Sequence, residues 1–214
     1  MNLLHVDSSI NGTASVSRLL TREVVDQWVA AHPETQVARL DLAVDTPAHF
    51  SASSLGIRRP IEGQATEAEV SENELAEALV TQFLASDIVV VGAPLYNFSI
   101  PSQLKAWIDR LAQAGRTFRY TENGPEGLAK GKTVIAVLSR GGVYSNSDIG
   151  QAMEHQESFL KTIFGFFGIT DVRVVLAEGT DLGAESRANA LKNAREAIRA
   201  AVQIESAQHA VSAA

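Results

Sequence analysis

"VDSSINGTASVSR", residues 6–18, decides how this chain is read. An apolar run ends at Val6. Four serines and a threonine follow, and from Ser15 onward a helical spacing sets in at Val16, Leu19, Leu20, Val24 and Trp28. A strand that passes through a short polar turn into a helix is the opening βα unit of a doubly wound sheet, and ligands of such sheets bind beyond the strands' carboxyl ends. The free N–H groups and the dipole at the helix start favour an anion, and the hydroxyls of Ser8, Ser9, Thr13, Ser15 and Ser17 add donors without charge or bulk. A phosphate monoester suits such a turn. A single serine there would read as an N-cap; five hydroxyls favour the phosphate. Two other phosphate loops are excluded: Gly12 is the only glycine in the turn, so GxGxxG is absent, and "GLAKGKT" at 127–133 has one residue too few between its glycines and precedes a strand.

Working outward, "LLHV" at 3–6, "DIVVVGAP" at 87–94, "TVIAVLS" at 133–139 and "DVRVVLAE" at 171–178 read as strands buried on both faces, with "VARLDL" at 37–42 a weaker fifth. Helical spacings separate them, for example Leu104, Trp107, Ile108 and Leu111. This alternation predicts an α/β fold in one domain over residues 1–205, with a frayed tail at 206–214. Two segments exceed what a bare five-strand fold needs, 43–66 and 117–132, and both could wall a pocket.

Composition narrows the function. The net charge of −7 comes without a block of Lys or Arg, which argues against nucleic acid. No stretch reaches the roughly 20 apolar residues of a membrane span and no signal sequence is evident, so a cytoplasmic location is expected. There is no cysteine, so redox chemistry needs a borrowed cofactor. His5, His32, His49, His155 and His209 show no metal spacing, and no metal is expected.

Two further strand-end loops carry chemistry. In "GAPLYNFSIPSQLKAWIDRL" at 92–111, Leu95, Tyr96, Asn97 and Phe98 lie between Pro94 and a helix opened by Pro101, and offer apolar and aromatic faces to a flat heteroaromatic ring. In "SRGGVYSNSD" at 139–148, Gly141 and Gly142 let a ligand approach the backbone closely.

These pieces together resemble the FMN-dependent NADH azoreductases, flavodoxin-like enzymes that are also NAD(P)H:quinone oxidoreductases. The resemblance rests on "SSINGTASVS" at 8–17, "APLYNFSIPSQLKAWID" at 93–109, "FRYTENGPEGL" at 118–128 with "SRGG" at 139–142, and "GFFGITDV" at 165–172, and it runs nearly end to end. It implies a five-stranded parallel sheet in the order 2-1-3-4-5 with helices on both faces. By resemblance, Ser9, Ser15, Val16 and Ser17 hold the FMN phosphate, Leu95, Tyr96, Asn97 and Phe98 line the isoalloxazine ring, and Ser139, Arg140, Gly141 and Gly142 run along its pyrimidine edge. Leu95 stands where the family usually carries methionine, which keeps the apolar contact.

The resemblance further implies a homodimer with active sites at its interface. Phe118 and Tyr120 then cover the partner's flavin, with Ile163, Phe164 and Phe167 contributing and Phe98, Phe118 and Tyr120 forming the substrate site. Arg58 and Arg59 lie where the family's loop bears on the choice between NADH and NADPH. The implied reaction is ping-pong hydride transfer from NADH or NADPH through bound FMN. It reduces quinones to hydroquinones by two electrons and cleaves aromatic azo compounds to amines, with no residue singled out as a catalytic acid. Two alternatives stay open: a flavin-containing electron carrier, which the long insertions argue against, and a redox-sensing ancillary subunit of another protein.

Overall fold

The computed structural model describes residues 1–57 and 63–212, with side chains described through Gln203. In chain order the elements are β1 (Asn2–Asp7), α1 (Val16–Ala31), β2 (Gln36–Asp41), α2 (Glu67–Leu84), β3 (Ile88–Pro94), α3 (Ser102–Leu111), β4 (Phe118–Thr121), β5 (Gly124–Gly127), β6 (Thr133–Arg140), α4 (Asp148–Met153), α5 (Gln156–Phe166), β7 (Asp171–Glu178) and α6 (Ala184–Ser212). Short 3-10 turns occupy Gly12–Ala14 and Ala52–Ile57. The five apolar runs of the sequence become β1, β2, β3, β6 and β7.

These five strands pair in parallel in the order β2-β1-β3-β6-β7. With the β4–β5 hairpin set aside this is the expected 2-1-3-4-5. Alternate residues feed two cores, because successive side chains of a strand point to opposite faces. Leu4, Val6, Val89, Val91, Val134 and Ala136 meet α2, α3 and α5 on one face. Leu3, Ile88, Val90, Ile135 and Val137 meet α1 and α6 on the other. Every residue of β3 and β6 is buried, which is why these strands read as unbroken apolar runs.

Chain order reverses between β1 and β3. Their register, Leu3 opposite Ile88 through Asp7 opposite Gly92, brings the turn after β1 beside the loop after β3. A Cβ at Gly92 would lie 2.8 Å from Thr21 Cγ2 and 3.0 Å from Asp7 Oδ1, so only glycine lets α1 settle here.

The long segment at 117–132 forms the antiparallel β4–β5 hairpin. It is seated on the end of α5: Ala129 N–H donates to Phe167 O at 2.8 Å, and a Cβ at Gly127 would come within 2.1 Å of the Gly168 nitrogen. Two of the aromatics expected at an interface are corrected by this packing. Phe164 on α5 and Phe167 at its C-cap are fully buried in the core against Phe83, and neither can face a partner. Ile163 is half-buried.

The described part of the 43–66 segment is tied down by Arg110, itself fully buried, which donates to Ala48 O and pairs with Glu72 at 2.6 Å. Arg58 and Arg59 lie outside the described residues. The stretch expected to fray from residue 206 falls on the last turns of α6, beyond the described side chains. Among the described residues no helix is long and apolar enough to cross a membrane.

Candidate functional site

The turn after β1 buries its hydroxyls. Ser8, Ser9, Ser15 and Ser17 are each 5% exposed or less, while Thr13 is exposed. They differ in role. Ser8 Oγ donates to Gly92 O at 2.6 Å, a bond that fastens the turn to β3. Ser15 is the N-cap of α1, accepting from Arg18 N–H, and its hydroxyl lies 3.1 Å from that of Ser17. Val16 turns its side chain into the core, so it can offer a ligand only its backbone.

Arg18 is the residue that sequence reasoning missed here. Its guanidinium grips Asp41 at 2.7 and 2.5 Å, donates twice to Ser9 O at 3.0 and 2.8 Å, and lies 3.7 Å from Asp7. The bond from Arg18 holds the Asp41 carboxyl below its ordinary range, and the same bond raises the Arg18 guanidinium. A carbonyl bound to a cation repels an anion less, so the Ser9 oxygen is made less repulsive to negative charge in this corner. The apolar spacing of α1 gave no hint, because Asp41 ends a different strand.

The loop after β3 begins with Leu95 N–H donating to Ser139 O at 2.8 Å, which brings the second and third loops together. Tyr96 and Ser99 then exchange backbone bonds at 2.9 and 3.1 Å across a two-residue turn. Its central residues, Asn97 at φ 48° and Phe98 at φ 69°, are the only non-glycine residues with positive φ among those described. Two positive φ values make the tight hairpin geometry usually given to Asn-Gly. Asparagine tolerates it, but phenylalanine there is strained by about 1–2 kcal/mol. Such strain persists only where surrounding contacts enforce it. Here Phe98 O accepts from His155 N–H at 2.9 Å, and the ring, 41% exposed, meets Tyr144 edge-on at 6.3 Å. Outside this turn a groove of about 430 Å³ is lined by Tyr96, Asn97, Ser99, Ile100, Lys105 and Phe159, among others.

After β6, Gly141 and Gly142 accept from Asp181 and Gly179 N–H groups at 3.1 and 2.8 Å. A Cβ on Gly141 would stand 2.6 Å from the Asp181 carboxylate, whereas one on Gly142 would meet nothing nearer than Tyr144 at 3.5 Å. A Cβ at Gly142 would thus sit in ordinary van der Waals contact with the Tyr144 ring. The Arg140 side chain is 3% exposed and turned among Glu154, Glu157 and Glu178, so only its backbone can border a ring.

Ser9, Ser15, Val16 and Ser17 thus gather on one side, and Leu95–Phe98 with Ser139–Gly142 on the other. Tyr96 joins them: its hydroxyl lies 3.4 Å from Ser9 Oγ and accepts from Ile10 N–H at 3.3 Å. Phe118 stands apart on the hairpin, 8% exposed beneath Phe166 at 4.6 Å, and Tyr120 at 76% exposure leans edge-on against it.

A corner of buried serine hydroxyls and an aromatic loop at the switch point of a 2-1-3-4-5 sheet define a flavodoxin-like protein. A family model described as flavodoxin-like fold matches residues 1–202. The FMN-dependent NADH:quinone oxidoreductase of Acidovorax ebreus is 59% identical over 207 residues, covering 97% of this chain and 96% of its own. That of Polaromonas naphthalenivorans is 63% identical over 200 residues, covering 92% of each. Among solved structures, an azoreductase from Bacillus anthracis superposes with a TM-score of 0.87 at 29% identity, covering 95% of this chain and 99% of that one. An FMN-dependent NADH-azoreductase from the same species, in complex with FMN, gives 0.84 at 26% identity, covering 95% and 100%. The chain belongs to this flavodoxin-like family, together with the FMN-dependent NADH:quinone oxidoreductases.

Proposed function

We propose that the protein is an oxidoreductase that uses NADH to reduce quinones through bound FMN. The observation that carries this reading is the Tyr96 hydroxyl, which ties a corner of buried serine hydroxyls to the aromatic loop after β3. One ligand with a phosphate at one end and a flat ring at the other fits both. Ser9, Ser15 and Ser17 hydroxyls with the first N–H groups of α1 would hold the phosphate, since neutral donors and a helix dipole suffice for an anion. Leu95, Tyr96, Asn97 and Phe98 would border the ring, and the backbone at Gly141 and Gly142 its electron-rich edge. FMN supplies the capacity to accept a hydride and release two electrons; the protein supplies position and electrostatics.

The exposed ring of Phe98 beside Tyr144 offers one apolar wall for planar substrates. A single wall supports a ping-pong order, in which NADH leaves before the acceptor enters. A quinone takes two electrons and two protons to give a hydroquinone. An aromatic azo compound takes four of each, consumes two NADH and gives two amines. The exposed Tyr120, together with Val143, Ile149 and Leu182, supports a homodimer in which the hairpin covers the partner's site. Initial rates at varied NADH and benzoquinone test the order: parallel double-reciprocal lines support it, and lines that intersect contradict it. Light scattering of the purified protein tests the dimer.

A further inference from the structure

We propose that Arg140 is a positioning residue that locks both ring loops at once, including the strained Asn97–Phe98 turn, without contacting the ring. The inference rests on the flavin reading above. Each arm of the guanidinium leads to a different part of the site. Nη1 faces Glu178 at 3.6 Å, and that carboxylate accepts from the N–H groups of Tyr144 and Ser145, fixing the chain just after Gly142. Nε donates to Gln156 Oε1 at 3.1 Å, and the fully buried Gln156 amide donates onward to Ala93 O at 2.8 Å, at the end of β3. Nη2 lies 3.2 Å from Glu154, whose other oxygen accepts from the N–H groups of Gln156 and Glu157 and so caps α5, and 3.6 Å from Glu157.

His155 sits between Glu154 and Gln156. With Gln156 hydrogen-bonded to Arg140 and Glu154 ion-paired with it, the His155 N–H is held where it meets Phe98 O at 2.9 Å. This bond, beside the paired Tyr96–Ser99 bonds, fixes the peptide that follows Phe98 and so helps hold the turn. One buried cation thereby keeps strain in the second loop while pinning the third. Lysine would not substitute, since one ammonium on a flexible stem cannot hold the Gln156 hydrogen bond and sit in ion-pair range of Glu154, Glu157 and Glu178 at once. Arg110 gives the comparison: it is equally buried and ion-paired, yet it serves the 43–57 segment.

The test is a double-mutant cycle of Arg140→Lys and Phe98→Gly, because glycine accepts positive φ without being forced. FMN binding to the apoprotein is read by quenching of flavin fluorescence. Coupling of the expected size means that Arg140→Lys weakens FMN roughly tenfold with Phe98 present, and by less than about threefold in the Phe98→Gly background. Equal losses in both backgrounds, or none, would overturn the proposal. So would an equal loss in Arg110→Lys, which is expected to lower the melting temperature and leave FMN affinity within about twofold. If Arg140→Lys does not fold, Gln156→Met, which cuts one arm and leaves no new charge, should show the same dependence on Phe98; additivity there counts against the idea. Wild-type protein that binds no FMN would overturn the flavin reading alone. Melting temperatures of the same four apoproteins then decide Arg140's part: Phe98→Gly should stabilise the protein with Arg140 present and do so less in the Arg140→Lys background, where the turn is already released, and simple additivity contradicts it.

Discussion

The two ends of the site are built on different physics. At the serine corner the backbone is relaxed: a capped helix start and buried hydroxyls, steadied by a guanidinium that bridges α1 to the end of β2. At the ring end the backbone is strained at Phe98, and a buried arginine among three carboxylates holds the loops. Local chain chemistry suffices to bind an anion, whereas a ring must be met by loops from separate strands. Those loops need long-range side-chain bonds to stay put.

The sharpest way to break this contrast is to put charge into the corner. Ser17 is fully buried, so Ser17→Glu sets a carboxylate against the phosphate; FMN affinity should fall at least a hundredfold by roughly the cost of an unpaired like charge. Retention of stoichiometric FMN after desalting would count heavily against the corner as a phosphate site. Arg18→Gln is gentler. It leaves Asp41 and Asp7 without their shared cation beside the anion, and equilibrium dialysis should show FMN affinity down about tenfold.

A third prediction addresses the strain. Phe98→Ala and Phe98→Gly both remove the ring, but only alanine keeps a Cβ at positive φ. The apoprotein with glycine should therefore be the more stable by about 1 kcal/mol in urea, the reverse of the order in ordinary backbone. Alanine at least as stable as glycine would show that the turn holds no strain. The smallest effect concerns pH. The Asp41 carboxyl is lowered by Arg18, so the pair's stabilisation is fully present above the ordinary aspartate range near pH 4 and is lost as pH falls through the lower folded value. Partial exposure keeps it under about 1 kcal/mol, visible as a shallower loss of stability in acid urea titrations of Asp41→Asn than of wild type.

The same division governs what could be read from sequence. The sheet was legible because β3 and β6 are buried on both faces and leave unbroken apolar runs. Ser15 was legible as a candidate cap because a helix start advertises its cap within a few residues. Arg18 was not, since its partner lies 23 positions away at the end of β2. Positive φ at Phe98 has no residue-type signal; the usual signature is glycine, and here contacts with His155 and Tyr144 override local preference. The SRGG loop was found through its glycines, but the Arg140 side chain answers to Glu154, Glu157 and Glu178, which only the fold assembles. Phe164 and Phe167 misled because an aromatic run at the end of a helix looks alike whether it faces a core or a partner.

The most direct measurement is the visible spectrum of protein reconstituted with FMN and desalted, followed without oxygen through addition of NADH and then a benzoquinone. Flavin absorbance should remain after desalting, bleach with NADH and return with quinone, each in a separate step. Protein that emerges without flavin, or flavin that NADH leaves oxidised, would contradict the account.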